Sequence, residues 1–487
     1  MRAGVMLGLA GALLLPAIAG SGSAAQADQF ESAVPRAVCG PGSSPESGLQ
    51  GQVPLADRQS GRSQQGYSCN LELLGRYQGE GTTWVNPQYR HCAYHATSMA
   101  GIGKKKSEGV QVIDASNPRK PRLSTNLTSP AMFSGTWESL KVNEARGLLA
   151  GVSVGPVIGT LAFDVYDIKT DCTRPKLLNS VAGTEFTVPA STLNHEGQWS
   201  PDGKTYWATS LAGGGITAID VSDPRSPRIA GVGTVGVVNH GFELSADGNR
   251  LYLTTAFPAG VIVLDVSDIQ SRKPAPMMRE VGRVTWGGEV SLGQHAIPVT
   301  WGGKPYLIAA DEFSGEDVHI VDIGDETRPT VVRQIQLEIS RPENADLAAQ
   351  DAASNGPFGY DVHYCDVDRR TNPTALACGF FNSGVRVFDI RNPLKPREIA
   401  YFNPPAQVGK QSLLPGSEHA QHPLMYISNI SAYRDAGPTG VTISNMADLT
   451  ADYCGSPPRF VGRDQLWVSC QDNGFLALRF TNNAFRR

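Results

Sequence analysis

The sequence predicts an all-β fold: a seven-bladed β-propeller of four-stranded antiparallel blades, closed by an N-terminal strand in the last blade. Three observations predict it. A strand of alternating apolar residues ending in Asp, followed by a turn containing Pro, recurs along the chain. Asp-Gly hairpin signals precede several copies. The two chain ends carry complementary fragments of one unit.

The copies are VQVIDASNPRKP (110–121), FDVYDIKTDCTRP (163–175), ITAIDVSDPRSP (216–227), VIVLDVSDIQSRKP (261–274), VHIVDIGDETRP (318–329) and VRVFDIRNPLKP (385–396). A seventh, FLALRF (475–480), has Arg479 at the Asp position. The terminal aspartates Asp114, Asp167, Asp220, Asp265, Asp322 and Asp389 stand 53, 53, 45, 57 and 67 residues apart. Such spacings hold four strands and their turns, the unit of a propeller blade. SPDGKTYWAT (200–209) and SADGNRLYLT (245–254) place Asp-Gly between two apolar runs, a hairpin signal for the first two strands of a unit. The last copy ends after its third strand, whereas CNLELLGRYQ (69–78) reads as a fourth strand with no first three before it. Pairing the two closes the ring and removes exposed sheet edges.

The domain organisation follows. Arg2, the apolar run Val5–Ile18 and Ala25-Gln26-Ala27 read as a signal peptide over 1–27. An irregular leader covers 28–66, the propeller 67–482 with a long insertion at about 404–452, and a tail 483–487. The expected location is secreted, periplasmic or cell-surface, with no membrane span in the mature form. A net charge of −4 with 18% charged residues gives no basic face for nucleic acid. No Gly-rich phosphate loop opens a helix after a strand, so no nucleotide cofactor is expected.

The repeat resembles that of the LVIVD-repeat family of exported propellers over most of residues 69–480. The resemblance implies the fold; the family hosts many proteins without an assigned activity, and fold does not settle function.

Measured back from the strand-end Asp, His195, His240, His295 and His363 lie 25, 25, 27 and 26 residues upstream, at the start of the innermost strand of blades 3 to 6. Four consecutive blades thus aim an imidazole at the channel mouth. Imidazole is a ligand of Cu, Fe and Zn, and a ring with an open face leaves room for water, oxygen or substrate. Glu138 in blade 2 aligns loosely as a fifth axial group, and Glu196, Glu243, Glu312 and Asp361 are candidate ring-orienting or channel-lining carboxylates. The arrangement is similar to the axial histidines of the carotenoid-cleaving oxygenases and of the selenium-binding and methanethiol-oxidase family, with no extended motif of either. The alternative is an ion-free ring whose imidazoles hydrogen-bond backbone carbonyls.

Eight cysteines suit an exported chain. Cys365 and Cys378 lie 24 and 11 residues before Asp389, and Cys454 and Cys470 lie 25 and 9 before Arg479. Matched positions on antiparallel neighbours predict Cys365–Cys378 and Cys454–Cys470. Cys39, Cys69, Cys92 and Cys172 pair among themselves in an order the spacing leaves open. His419 and His422 in SEHAQHP are expected in a plain loop, and His319 as a strand residue.

Two function classes remain: a metal-dependent oxidoreductase built on the histidine ring, or a non-catalytic propeller binding a small molecule or protein at a channel mouth.

Overall fold

The computed structural model describes residues 32–97, 108–153, 162–179, 194–210, 214–287, 291–313, 315–352, 355, 358–408, 414–421 and 450–486. The signal peptide and most of the blade 7 insertion lie outside them. Seven antiparallel sheets form the seven blades. Blade 3 runs Asn194–Trp199, Thr205–Ser210, Gly215–Asp220 and Arg228–Thr234 from first strand to fourth. Blade 4 repeats this with Asn239–Leu244, Arg250–Thr255, Gly260–Asp265 and Arg279–Thr285. The first strands of neighbouring blades touch one another around the axis, and the fourth strands are the most exposed.

The strand-end aspartates have a local function. Each of the six accepts a hydrogen bond from the backbone N–H two residues on: Ser116, Lys169, Ser222, Ser267, Gly324 and Arg391, at 2.7–3.1 Å. This Asx turn ends the third strand and starts the reversal. A second one often follows three or four residues later, with Asn117, Asp171, Asp223, Asp325 or Asn392 as acceptor. The repeat is thus a turn code. The Asp-Gly hairpins obey the same chemistry. Asp202 and Asp247 accept from Lys204 and Asn249, and Gly203 and Gly248 adopt φ of +66° and +74°.

Closure is as expected. Leu71–Tyr77 pairs with Gly474–Phe480 as the outer strand of blade 7, and Glu72 pairs with Arg479. The segment just before it, Tyr67–Cys69, is an unexpected fifth strand on blade 6, against Arg397–Asn403. One N-terminal stretch therefore stitches two blades. The leader is also more ordered than its composition implies. It holds a helix at Leu55–Ser60, and its Glu46 joins Glu398 in flanking the buried Arg386 guanidinium at 2.7 and 3.0 Å.

The core lies between blades. Ile297, Val299, Ile308 and Ile320 of blade 5 pack on Val362, Leu376, Phe380 and Phe388 of blade 6. Each such side chain contributes about 1.5–3 kcal/mol on burial. Four disulfides join all eight cysteines: Cys39–Cys69, Cys92–Cys172, Cys365–Cys378 and Cys454–Cys470. Cys365 and Cys378 are direct cross-strand partners. Four disulfides fit an extracellular or periplasmic protein. Among the described residues, no helix is long and apolar enough to cross a membrane.

Candidate metal centre

A bulge at the start of the innermost strand positions the axial side chains. In blade 3, pairing steps from Asn194↔Ser210 to Gly197↔Ala208, so His195 and Glu196 together oppose Thr209. In blade 4, His240 and Gly241 oppose Thr254, and in blade 6, His363 and Tyr364 oppose Gly379. A bulge re-aims side chains that regular alternation would send to opposite faces. The first bulged residue points at the axis, and the second lies one layer nearer a channel mouth.

Blade 5 departs from the expected ring. Its pairing steps from Gly293↔Asp311 to His295↔Ala310, which leaves Gln294 as the extra residue. Gln294 therefore takes the axial place, and His295 falls into the next layer. The inner strand here is ten residues long, against six in blades 3, 4 and 6. The longer hairpin defeats a ruler counted back from Asp322.

The hub of the axial layer is Glu138, just before the first strand of blade 2 and bridged through its backbone to Glu196. Its Oε2 lies 3.1 Å from His195 Nε2 and 3.6 Å from His240 Nε2, and its Oε1 lies 3.0 Å from His363 Nε2. All four side chains are 2–5% exposed or less. Gln294 Nε2 donates to Glu138 Oε2 at 3.2 Å and lies 3.0 Å from His363 Nε2. Of the four histidines expected around one point, His195, His240 and His363 meet at Glu138, a direct neighbour rather than an outlying carboxylate, and His295 does not.

The far ring nitrogens define tautomers. His240 Nδ1 is 3.2 Å from the Gln294 carbonyl oxygen, and His363 Nδ1 is 2.8 Å from that of Gly455. A carbonyl only accepts, so both Nδ1 atoms carry the proton, and a neutral ring then turns an Nε2 lone pair toward Glu138. Burial, with the neighbouring His195, holds His240 well below the ordinary imidazole pKa. Burial works against ionisation of Glu138, but His195, His363 and His240 outweigh it and hold its pKa well below normal.

Above this layer lie Glu196, Tyr364, Lys141 and His295. Tyr364 hydroxyl contacts Glu138 Oε2 at 3.2 Å and also Glu196, and Lys141 Nζ is 2.6 Å from Glu196 Oε1. Burial, with repulsion from Glu138 and against the pull of Lys141, raises Glu196 to about 8. His295 Nε2 lies 3.3 Å from both the backbone nitrogen and the carbonyl oxygen of Cys365, and burial with Lys141 lowers the ring's pKa to about 3. These residues floor a cleft of about 300 Å³ whose walls include Gln88, Phe242, Glu243, Arg370 and Arg459.

The other expected residues disperse. Glu243 pairs with Arg370 at 3.0 Å in the cleft wall. Glu312 sits 3.6 Å from His363 Nε2, with its pKa raised well above normal by burial and by the charges of Glu138 and Asp361. Asp361 accepts the Gly315 N–H and lines a different cleft, with burial raising it to about 6. His319 is a strand residue, stacked on Trp286. His419 is not in a plain loop. It lies in the short helix Glu418–Gln421, fully buried, with Nδ1 2.6 Å from Asp472 and Nε2 2.8 Å from the Asn355 carbonyl. Both its nitrogens are committed as donors, which leaves none for a metal. His422 lies outside the described residues.

The donor set fits a transition metal. Ligands held 2.0–2.2 Å from a tetrahedral ion stand about 3.3–3.6 Å apart. The observed nitrogen–oxygen contacts are 3.0, 3.1 and 3.6 Å, the first two somewhat shorter than this separation and the third within it. The ligand atoms of Glu138, His195 and His240 all lie within 4.8 Å of one another. Gln294, Tyr364 and Lys141 carried no sequence signal of their own, because none sits at a recurring repeat position.

No family model matches the chain, and no curated protein does. Several solved structures are similar to it at low identity. A Lactobacillus plantarum protein matches at 13% identity and TM-score 0.46, covering 66% of this chain and 87% of its own. A functionally unknown protein from Desulfotomaculum acetoxidans matches at 10% and 0.45, covering 66% and 86%. The Pseudomonas aeruginosa periplasmic gluconolactonase matches at 16% and 0.38, covering 51% and 70%.

Proposed function

We propose that the chain is an exported propeller of the LVIVD-repeat type that holds a Cu, Fe or Zn ion on its axis through His195, His240, His363 and Glu138, and acts as a metal-dependent oxidoreductase on a small molecule admitted by the cleft. One observation carries this reading. Two histidines donate from Nδ1 to backbone carbonyls and present Nε2 to one ionised carboxylate. Lone pairs facing a carboxylate repel unless a cation lies between them, and a metal ion supplies one without a proton on His240, whose pKa burial and the neighbouring His195 hold well below normal. Two histidines and a carboxylate on one face are the pattern of Fe(II) sites that activate oxygen, and additional imidazole also suits Cu and Zn. When bound, the ion would supply Lewis acidity or redox chemistry. The protein's own residues orient the ligands, through Gln294 and Gly455, and exclude water with Trp84 and Trp137 packed on His363 and His195.

The competing reading is an ion-free hub in a binding propeller. It is favoured by the two extra hydrogen-bonding contacts to Glu138, from Gln294 and Tyr364. Elemental analysis of natively purified protein separates the two. The metal reading expects close to one equivalent of Cu, Fe or Zn, lost in His240→Ala. Metal-free protein that takes up none of the three ions on addition would overturn it.

A further inference from the structure

A second cleft, of about 530 Å³, opens between blades 5 and 6 and shares no lining residue with the one above the axial layer. One wall is the helix Ala345–Ala352, which presents Ala345, Ala348, Ala349 and Ala352 at helical spacing. Phe358 and Tyr360, just before the first strand of blade 6, also line the cleft. The helix wall is anchored from behind. Asp351, 1% exposed, accepts from Gln52 Nε2 at 2.7 Å, the Leu55 N–H at 2.8 Å and the Tyr360 hydroxyl at 3.2 Å. A largely apolar concavity of this size with a few placed polar groups is the usual form of a small-molecule site.

Charge selects the ligand. Glu316 and Asp361 line the cleft, and among the described residues no Lys, Arg or His does. Both are partly exposed, so their charge reaches the cleft. Asp361 accepts the Gly315 N–H on Oδ1 at 3.0 Å, and no basic side chain offsets its charge. His319 lies 3.3 Å from Glu316, but burial holds its pKa below the ordinary value. Arg341, next to the lining residue Ser340, is engaged by Glu343 at 3.3 Å and Gln336 at 3.1 Å. A bare metal ion fits poorly, because no three His, Cys, Asp or Glu ligand atoms gather here among the described residues. Two carboxylates against an apolar wall suit a cation carried on an apolar frame.

We propose that this cleft binds a small organic cation, an ammonium group on an apolar or aromatic body, with the charge at Asp361 and Glu316 and the body against the alanine face of the helix. The test is calorimetric titration of the purified full chain at pH 8 with three probes of one shape: 2-phenylethylamine (cationic), 2-phenylethanol (neutral) and phenylacetate (anionic). The amine is expected to bind saturably, with a dissociation constant in the millimolar range or below and about tenfold tighter than the alcohol. Asp361→Asn should remove the preference for the amine and leave the alcohol as it was, whereas a merely structural role would weaken both alike. Ala349→Leu, which fills the cleft from an exposed helix position, should weaken both probes. No saturable binding of the amine, no preference for it over the alcohol or phenylacetate, or a preference that survives Asp361→Asn overturns the proposal. The outcome is independent of the axial centre, since the two clefts share no residue.

Discussion

The Gly455 carbonyl oxygen lies 2.8 Å from His363 Nδ1, and that contact commits the opposite nitrogen of the ring to Glu138. Blade 7 thus orients a ligand carried by blade 6. Gln294 does the same for His240 with its backbone, and braces Glu138 with its side chain. Groups that orient metal ligands typically alter affinity 10- to 100-fold when removed. Gln294→Ala is therefore expected to weaken Cu, Fe or Zn binding by about that factor, measured by chelator competition. His295→Ala should leave it unchanged. Equal losses in both variants would mean that position 295 belongs to the ring after all.

Gly241 is the second bulged residue of blade 4, and a Cβ built there would lie 2.1 Å from the Gln294 carbonyl oxygen. That same oxygen is the acceptor for His240 Nδ1. Gly241→Ala must push the two strands apart and release His240 from its tautomer. Metal affinity should fall while the far blades keep their structure, so hydrogen exchange in blades 1 and 7 stays as it was. An unchanged affinity would show that the Gln294 carbonyl does not fix the ring.

The fold was legible because its signal is local and repeated. Asp at the end of the third strand makes the same Asx turn in six blades, so sequence spacing maps onto blade count. The ring of ligands was only partly legible, because the ruler measured from that Asp crosses a hairpin of variable length. It placed His195, His240 and His363 correctly relative to one another and failed in blade 5, where longer strands shift Gln294 onto the axis. Glu138 was visible only as a loose alignment. Its role comes from long-range convergence of four blades, which no periodicity encodes. The fifth strand on blade 6 was missed for a related reason: Tyr67–Cys69 is three residues long, too short to show alternation.

Arg386 is 1% exposed and sits between Glu46 of the leader and Glu398 of blade 6. Burial opposes its charge, but the two carboxylates more than compensate. Removing the shared partner of a buried ionic cluster leaves charges stranded and costs about 3–5 kcal/mol. Arg386→Met should lower the unfolding free energy by that amount in urea. Adding Glu46→Gln and Glu398→Gln to it should recover part of the loss, because no stranded charge then remains. A single variant within about 0.5 kcal/mol of the native protein would sink the argument, since that is the range of ordinary surface changes.

His419 sets a pH dependence of stability. Burial alone would lower its pKa, but Asp472 against Nδ1 and the nearby Asp452 reverse the effect and raise it. Its ring also stacks on Tyr453 at 3.9 Å, and Nε2 donates to Asn355. A histidine whose folded pKa exceeds its unfolded value of about 6.5 adds stability fully below that pH. The contribution fades as pH rises through the folded pKa. Urea midpoints should therefore decline from about pH 6.5 upward, with a slope that His419→Gln reduces. Gln can still donate one hydrogen bond but cannot carry the proton that Asp472 holds in place. If the His419→Gln protein shows the same slope as the native chain over this range, the imidazolium is not what ties this helix to blade 7.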